Sequence, residues 1–102
     1  MDKLAALNEI LQLDPANAFA RYGLAMEYSN SGEVERALEE FGRLLAIHPD
    51  YTAGYFMAAQ TLAKAERTDE ARKMLAEGIA SAKKTGNGHA QSEMEGMLAE
   101  LE

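Results

Sequence analysis

The chain has 102 residues, 47% of them apolar and 26% charged, with a formal net charge of −7, two His and no Cys. That length carries one domain with one modest core, and that apolar content folds rather than staying disordered. The negative charge argues against nucleic acid or an anionic membrane surface as partner, and the missing Cys excludes disulfides, thiol catalysis and thiolate metal sites.

The first fifteen residues, MDKLAALNEILQLDP, interrupt their apolar positions with Asn8, Glu9 and Gln12, unlike a signal peptide. No apolar run approaches the roughly 18 residues of a membrane span, so a soluble cytoplasmic protein is expected. Asp2 to Leu13 places Leu4, Leu7, Ile10 and Leu11 on one face of a helix that Asp14-Pro15 ends. A second helix follows Asn17, a natural N-cap, and stops at Asn30-Ser31-Gly32, where Gly adopts the left-handed geometry of a helix end.

Glu33 to Ile47 forms a third helix with Val34, Ala37, Leu38, Phe41, Leu44 and Leu45 as its stripe, closed by His48-Pro49. The fourth runs from Tyr51 to Ala65 and turns at Glu66-Arg67-Thr68 without a Gly. The fifth, from Asp69 to about Lys84, aligns Ala71, Met74, Leu75, Gly78, Ile79 and Ala82. Gly86-Asn87-Gly88 breaks the chain before a last helix, His89 to Leu101, whose stripe is Ala90, Met94, Met97, Leu98 and Leu101. No segment reads as a strand.

The stretch from Ala18 to Tyr51 is a unit of 34 residues: helix, turn, helix, Pro stop. Moved forward by one period, Leu24, Ala25 and Tyr28 become Ala58, Ala59 and Leu62, while Ala37 and Phe41 become Ala71 and Leu75. A fixed period of this length marks a stacked helical-repeat array. The residues resemble the tetratricopeptide-repeat (TPR) family, whose spacing is an aromatic, two residues, Leu-Gly, two residues, Tyr, then Ala, three residues, Phe, and finally Pro. Arg21, Leu24-Ala25, Tyr28, Ala37, Phe41 and Pro49 stand at those offsets, followed by Tyr55, Ala58-Ala59, Leu62, Ala71 and Leu75. Arg21 departs from the aromatic and Lys83 from the Pro; Lys3 stands where the preceding half repeat usually has a small residue.

The resemblance implies an all-α fold, an antiparallel helix-pair repeat array (α-solenoid) of about six helices over the single domain 1–102. Residues 2–15 would be a half repeat, 18–51 and 52–85 two full repeats, and 87–102 a capping helix. Ala25 with Ala37, and Ala59 with Ala71, would sit where paired helices cross, with Tyr28, Phe41, Leu62 and Leu75 filling the space beside them. In the last helix, His89, Glu93 and Gly96 fall at the places of Tyr55, Ala59 and Leu62, so it is out of register with the repeats. Its own apolar stripe suits a terminal cap.

No constellation points to catalysis. His48 precedes Pro49 at a helix end, and His89 adjoins a Gly-rich turn, with no second His at i and i+4. The adjacent carboxylates Glu39-Glu40 and Asp69-Glu70 read as solvated helix faces, and Lys83-Lys84 as a solvated helix end. Gly86-Asn87-Gly88 lacks the Lys-Ser/Thr and the preceding strand of a phosphate-binding loop. Neither enzyme activity, metal nor cofactor is expected.

A second stripe carries the functional reading. At 100° per residue, Phe19, Tyr22 and Met26 lie almost opposite the packing residues Arg21, Leu24, Ala25 and Tyr28. In the fourth helix Ala53, Phe56, Met57 and Gln60 lie opposite Tyr55, Ala58, Ala59 and Leu62. The resemblance places this face in the concave groove where family members bind peptides. Phe19, Tyr22, Met26, Phe56, Met57 and Gln60 are then the partner-binding residues of a non-catalytic interaction module or adaptor. Two alternatives stand beside it: some of these side chains pack against the cap or neighbouring helices, and the apolar surface makes a homodimer.

Family members that grip acidic chaperone tails place Lys and Asn in the first repeat's groove, Asn in the second, and Lys and Arg in the third. The corresponding places here hold Tyr22 and Met26, then Met57, then Asn87 and Gln91. None is cationic, as charge-assisted bonds to carboxylates require; Arg21 points to the packing side, which leaves Lys64. The sequence therefore predicts no binding of acidic chaperone tails and a preference for apolar or basic-amphipathic segments. Titration of a labelled acidic C-terminal pentapeptide at low salt should give no saturable binding. A micromolar dissociation constant weakened by Lys64→Ala would contradict this.

Overall fold

A computed structural model describes residues 2–101; Met1 and Glu102, the two ends of the expected domain, lie outside the described residues. Six helices follow one another: α1 (Lys3–Leu13), α2 (Ala18–Asn30), α3 (Val34–Ile47), α4 (Thr52–Lys64), α5 (Thr68–Thr85) and α6 (Gly88–Leu101). There is no strand among the described residues. Each helix packs on the next, and α2 with α3 and α4 with α5 form the most intimate pairs. The result is an all-α helical-repeat slab of 41 × 29 × 18 Å.

Local chemistry sets the ends. Asp2, Asn17 and Asn87 accept hydrogen bonds from the backbone N–H of Ala5, Ala20 and Ala90 at 2.8, 2.9 and 3.1 Å, starting α1, α2 and α6. At the end of α2, Gly32 takes φ 82°, and the Glu33 N–H returns to the Tyr28 carbonyl at 2.9 Å. The turn after α4 repeats this closure without a glycine. Glu66 adopts φ 62°, and the Arg67 N–H donates to the Leu62 carbonyl at 2.9 Å. A left-handed non-glycine costs about 1 kcal/mol, a cost the tertiary pairing of α4 with α5 offsets.

The core follows the small residues. Ala25, Ala37, Phe41, Leu44 and Ala58 form one fully buried cluster; Tyr55, Ala59, Leu75, Ala82 and Met94 form the next, and Leu7, Leu11, Ala20 and Leu24 the first. Ala71 is fully buried as well. A Cβ on Gly54 would approach Leu44 Cδ2 to 3.0 Å, and one on Gly78 would come within 2.6 Å of Met94 Sδ and of Tyr55 Cβ. The crossing at Gly78 demands glycine, while at Gly54 the leucine ends would have to give way to a larger residue.

Polar ties lock successive units. His48 Nε2 donates to the Ala16 carbonyl at 2.6 Å, so the histidine joins two turns 32 residues apart. Tyr55 and Ser81 hydroxyls both donate to the Pro49 carbonyl at 2.7 Å. Ser29 on α2 donates to Thr61 on α4 at 2.8 Å, and Thr61 in turn donates to the Met57 carbonyl at 2.9 Å.

Two expectations need correction. Glu40 is not on a solvated face: it is 7% exposed and accepts from Arg21 at 2.8 Å and from Arg43 at 2.9 Å. Arg21, standing at the aromatic offset, supplies the buried counter-charge and also reaches the Pro15 carbonyl at 3.1 Å. Ile10, expected on the apolar stripe of α1, remains 39% exposed although its counterpart Leu44 is fully buried. Leu44 is covered from both sides because α3 lies between α2 and α4, whereas α1 packs on α2 alone. The expected loss of register at the last helix has its cause in α5, which has no Pro at Lys83 and runs to Thr85, 18 residues against 14 in α3. The start of α6 is therefore displaced from the 34-residue spacing shared by α2 and α4. Met94 turns inward, while His89, Glu93 and Gly96 face out.

Ala71→Leu should force α4 and α5 apart and lower stability by about 1–3 kcal/mol, as overpacking does. Thermal melting checks it; an unchanged midpoint would refute the close crossing at Ala71.

Candidate binding groove

The outward faces of α2 and α4 meet α6 across a cleft. Tyr22, half-buried, sits edge-on to Phe41 with ring centroids 6.4 Å apart, and 5.5 Å from the Tyr51 ring. Aromatic pairs at these distances fix ring orientation, so Tyr22 is a rigid wall rather than a free side chain. Met26 and Met57 rest partly buried against the same core cluster, and Phe56 against the next. Gln60 is half-buried one turn beyond Phe56.

A pocket of about 250 Å³ opens here, walled by Tyr22, Ala53, Phe56 and Met57 on one side and by Ala90 and Met94 of α6 on the other. A second, of about 340 Å³, continues along the cleft between Phe56 and Gln60 of α4 and Ser92, Glu93, Gly96 and Glu100 of α6. The structure thus brings together Tyr22, Phe56 and Met57 in the first pocket, and Phe56 with Gln60 in the second. Phe19 and Met26 line neither: Phe19 stands 76% exposed on the first turn of α2, and Met26 packs inward.

The sequence placed Asn87 and Gln91 in this groove, and Asn87 lines the first pocket, but the rest of the α6 wall was missed. His89 and Glu93 line the cleft and form an i, i+4 pair at 3.0 Å. The signal was present in the apolar stripe Ala90, Met94, Met97 and Leu98: once that face is inward, His89, Glu93 and Gly96 must point away from the core. Arg72 on α5 donates to the Leu101 carbonyl and ties down the far end of this wall.

A larger pocket, of about 690 Å³, lies between α3 and α5. Arg67 spans that side, held at 2.7 Å to Glu35 and 2.8 Å to Glu70, and carboxylates surround it. Its volume is open surface crossed by an ion-pair network, so the smaller aromatic cleft is the better candidate for a specific ligand. Among the described residues, no His, Asp and Glu side chains converge in threes on a possible metal, and no helix is long and apolar enough to cross a membrane.

Stacked antiparallel helix pairs with a cleft along alternate helices define an α-helical repeat protein. The tetratricopeptide-repeat family profile matches residues 30–94. Over 99 residues the chain is 30% identical to the TPR repeat-containing protein PA0015 of Pseudomonas aeruginosa, covering 97% of this chain and 94% of that protein. It is similar to the solution structure of a tetratricopeptide repeat domain protein from Salinibacter ruber, with TM-score 0.80 and 32% identity over 87% of this chain and 90% of that one. The TPR2B domain of yeast Sti1, solved as a pHsp70 complex, superposes with TM-score 0.87 over 96% and 78% of the two chains. At 14% identity that likeness is one of fold alone. The chain belongs to the tetratricopeptide-repeat family.

Burial, then the neighbouring Tyr51, raises the Tyr22 hydroxyl above its ordinary value of 10.0. Tyr55 is raised as well, chiefly by burial, against a lowering hydrogen bond with Ser81. A raised phenol favours the native state fully below the unfolded value and loses that advantage as pH climbs through the folded one. Stability should therefore decline above about pH 10, and Tyr22→Phe should flatten the decline. Denaturant midpoints measured across that range check it; an identical slope in the variant would contradict it.

Proposed function

We propose that this protein is a non-catalytic protein–protein interaction module, an adaptor that holds a peptide or helix of a partner in its apolar concave groove. The carrying observation is the cleft in which Tyr22, Phe56 and Met57, side chains the core leaves partly uncovered, face α6. Association would come from burying these apolar and aromatic surfaces on a rigid wall, which limits the ordering cost of binding. Helical repeats of this family commonly serve protein–protein interaction, and the Sti1 domain of the same fold was solved as a pHsp70 complex. In this reading 2–15 is a half repeat, 18–51 and 52–85 are the two full repeats, and 87–102 closes the array. Phe19 and Met26, about one turn before and after Tyr22 on α2, would meet only a ligand that extends beyond the two pockets; the cytoplasm is the place of action, and no nucleic acid, membrane or cofactor takes part.

Self-association is the second reading, favoured by a different surface. Leu13 is 90% exposed, Phe19 76% and Ile47 49%, all on the edge of the array along which α1 and α3 finish and α2 begins. Such a patch suits a symmetric contact.

Capture of partners from the source cell, with wild type and a Tyr22→Ala/Phe56→Ala variant, tests the first reading. A partner held by the wild type and lost from the folded variant is expected; equal capture by both would refute the groove. Sedimentation at micromolar concentration tests the second. A dimer dissolved by Leu13→Glu would support the edge residues, and one dissolved only by Phe56→Glu would place the contact in the groove.

A further inference from the structure

We propose that the occupant of the groove is a basic amphipathic helix, lying along α6 between Glu93 and Glu100 with one large apolar side chain in the Tyr22–Phe56–Met94 pocket; this rests on the groove reading above. The first argument is charge. The two pockets that make up the cleft contain Glu93 and Glu100, with His89 beside Glu93, and no Lys or Arg lines either. Glu100 has no ion-pair partner among the described residues, and the partner of Glu93 is the His89 imidazole at 3.0 Å. An apolar cleft rimmed by carboxylates, on a chain of net charge −7, selects apolar segments flanked by cations and repels acidic ones.

The second argument is spacing. Glu93 and Glu100 are two turns apart on one face of α6, about 10 Å along its axis. A helix laid along α6 presents Lys or Arg at the same two-turn interval, with its apolar face turned into the cleft. The third is Gly96. A glycine in a helix interior is disfavoured against alanine, and the internal glycines Gly54 and Gly78 are explained by neighbours within 3.0 Å of where a Cβ would stand. A Cβ on Gly96 would meet nothing within 4 Å. Gly42 shares that openness, but Gly96 alone of the two lies in the cleft, between the two carboxylates. Its bare surface lets a partner backbone approach α6 more closely than any side chain would allow.

The test is an NMR titration of the intact chain with three synthetic helical peptides of roughly four turns: a Leu/Lys amphipathic sequence, its Leu/Glu counterpart, and an Ala/Lys sequence of equal charge. The Leu/Lys peptide should bind and shift resonances of α4 and α6. Glu93→Lys/Glu100→Lys should weaken it about tenfold. Gly96→Leu should weaken it about as much while melting no lower than wild type, because replacing an exposed mid-helix glycine favours the helix. Equal binding of the Leu/Glu peptide would overturn the charge argument, and equal binding of the Ala/Lys peptide would show attraction to net charge alone. Shifts confined to elements other than α4 and α6, or no binding by any of the three, would also overturn the proposal. If these peptides fail while Tyr22→Ala/Phe56→Ala still abolishes capture of a cellular partner, the groove stands and its assigned ligand chemistry falls. If both fail, the groove reading falls too.

Discussion

The close approach of neighbouring helices at small residues is the constraint on which the rest of this structure depends. Ala25 and Ala37 are buried in one cluster, Ala59 and Ala71 are buried where α4 meets α5, Gly78 leaves no room for a Cβ, and Gly54 leaves little. Helix axes brought this near place large side chains beside the crossing rather than in it. Phe41, Leu44, Leu75 and Met94 are the largest side chains buried completely, each filling such a space. Because the small residues recur with one period, the crossing recurs too, and the outward faces of α2 and α4 come into line.

Departures from the repeat have structural consequences at particular positions. Arg21 takes the place of an aromatic residue and draws Glu40 into the interior, with Arg43 as a second partner. Its Nε lacks a hydrogen-bond partner among the described residues. Removing one member of such a buried pair leaves an uncompensated charge and typically costs about 3–5 kcal/mol, whereas replacing both by apolar groups is often neutral. The pair is therefore better understood as fixing how α2 sits on α3 than as a large net source of stability.

Loss of the Pro stop at Lys83 has the larger structural consequence. Two further turns of sequence chemistry cooperate: α5 continues to Thr85, and Gly86 ends it in the left-handed conformation at φ 72°. Asn87 then starts α6 in a phase that sets Met94 against Gly78 and leaves Glu93 and Gly96 on the cleft. A helix that covers the last apolar face of the array thereby also supplies one wall of the groove.

The sequence alone determined the six helices and their period, because these are properties of neighbouring positions along one chain, and its resemblance to the tetratricopeptide-repeat family implied the antiparallel pairing and the residues at the crossings. It also placed Tyr22, Phe56, Met57 and Gln60 on the face opposite the packing residues Leu24, Ala25, Ala58 and Ala59, since a helical wheel needs only the rise and turn of a helix. Tertiary structure decided what those side chains meet. Whether Ile10 is covered depends on a helix being packed on its far side, and Glu40 changes from a solvated carboxylate to a buried one because Arg21 comes from a helix 19 residues away. Phe19 and Met26 share a stripe with Tyr22, yet only Tyr22 lines the cleft, because a wheel gives direction but not the distance to α6. That distance follows from the phase in which α5 hands the chain to α6, a sum of small backbone choices over the whole connection.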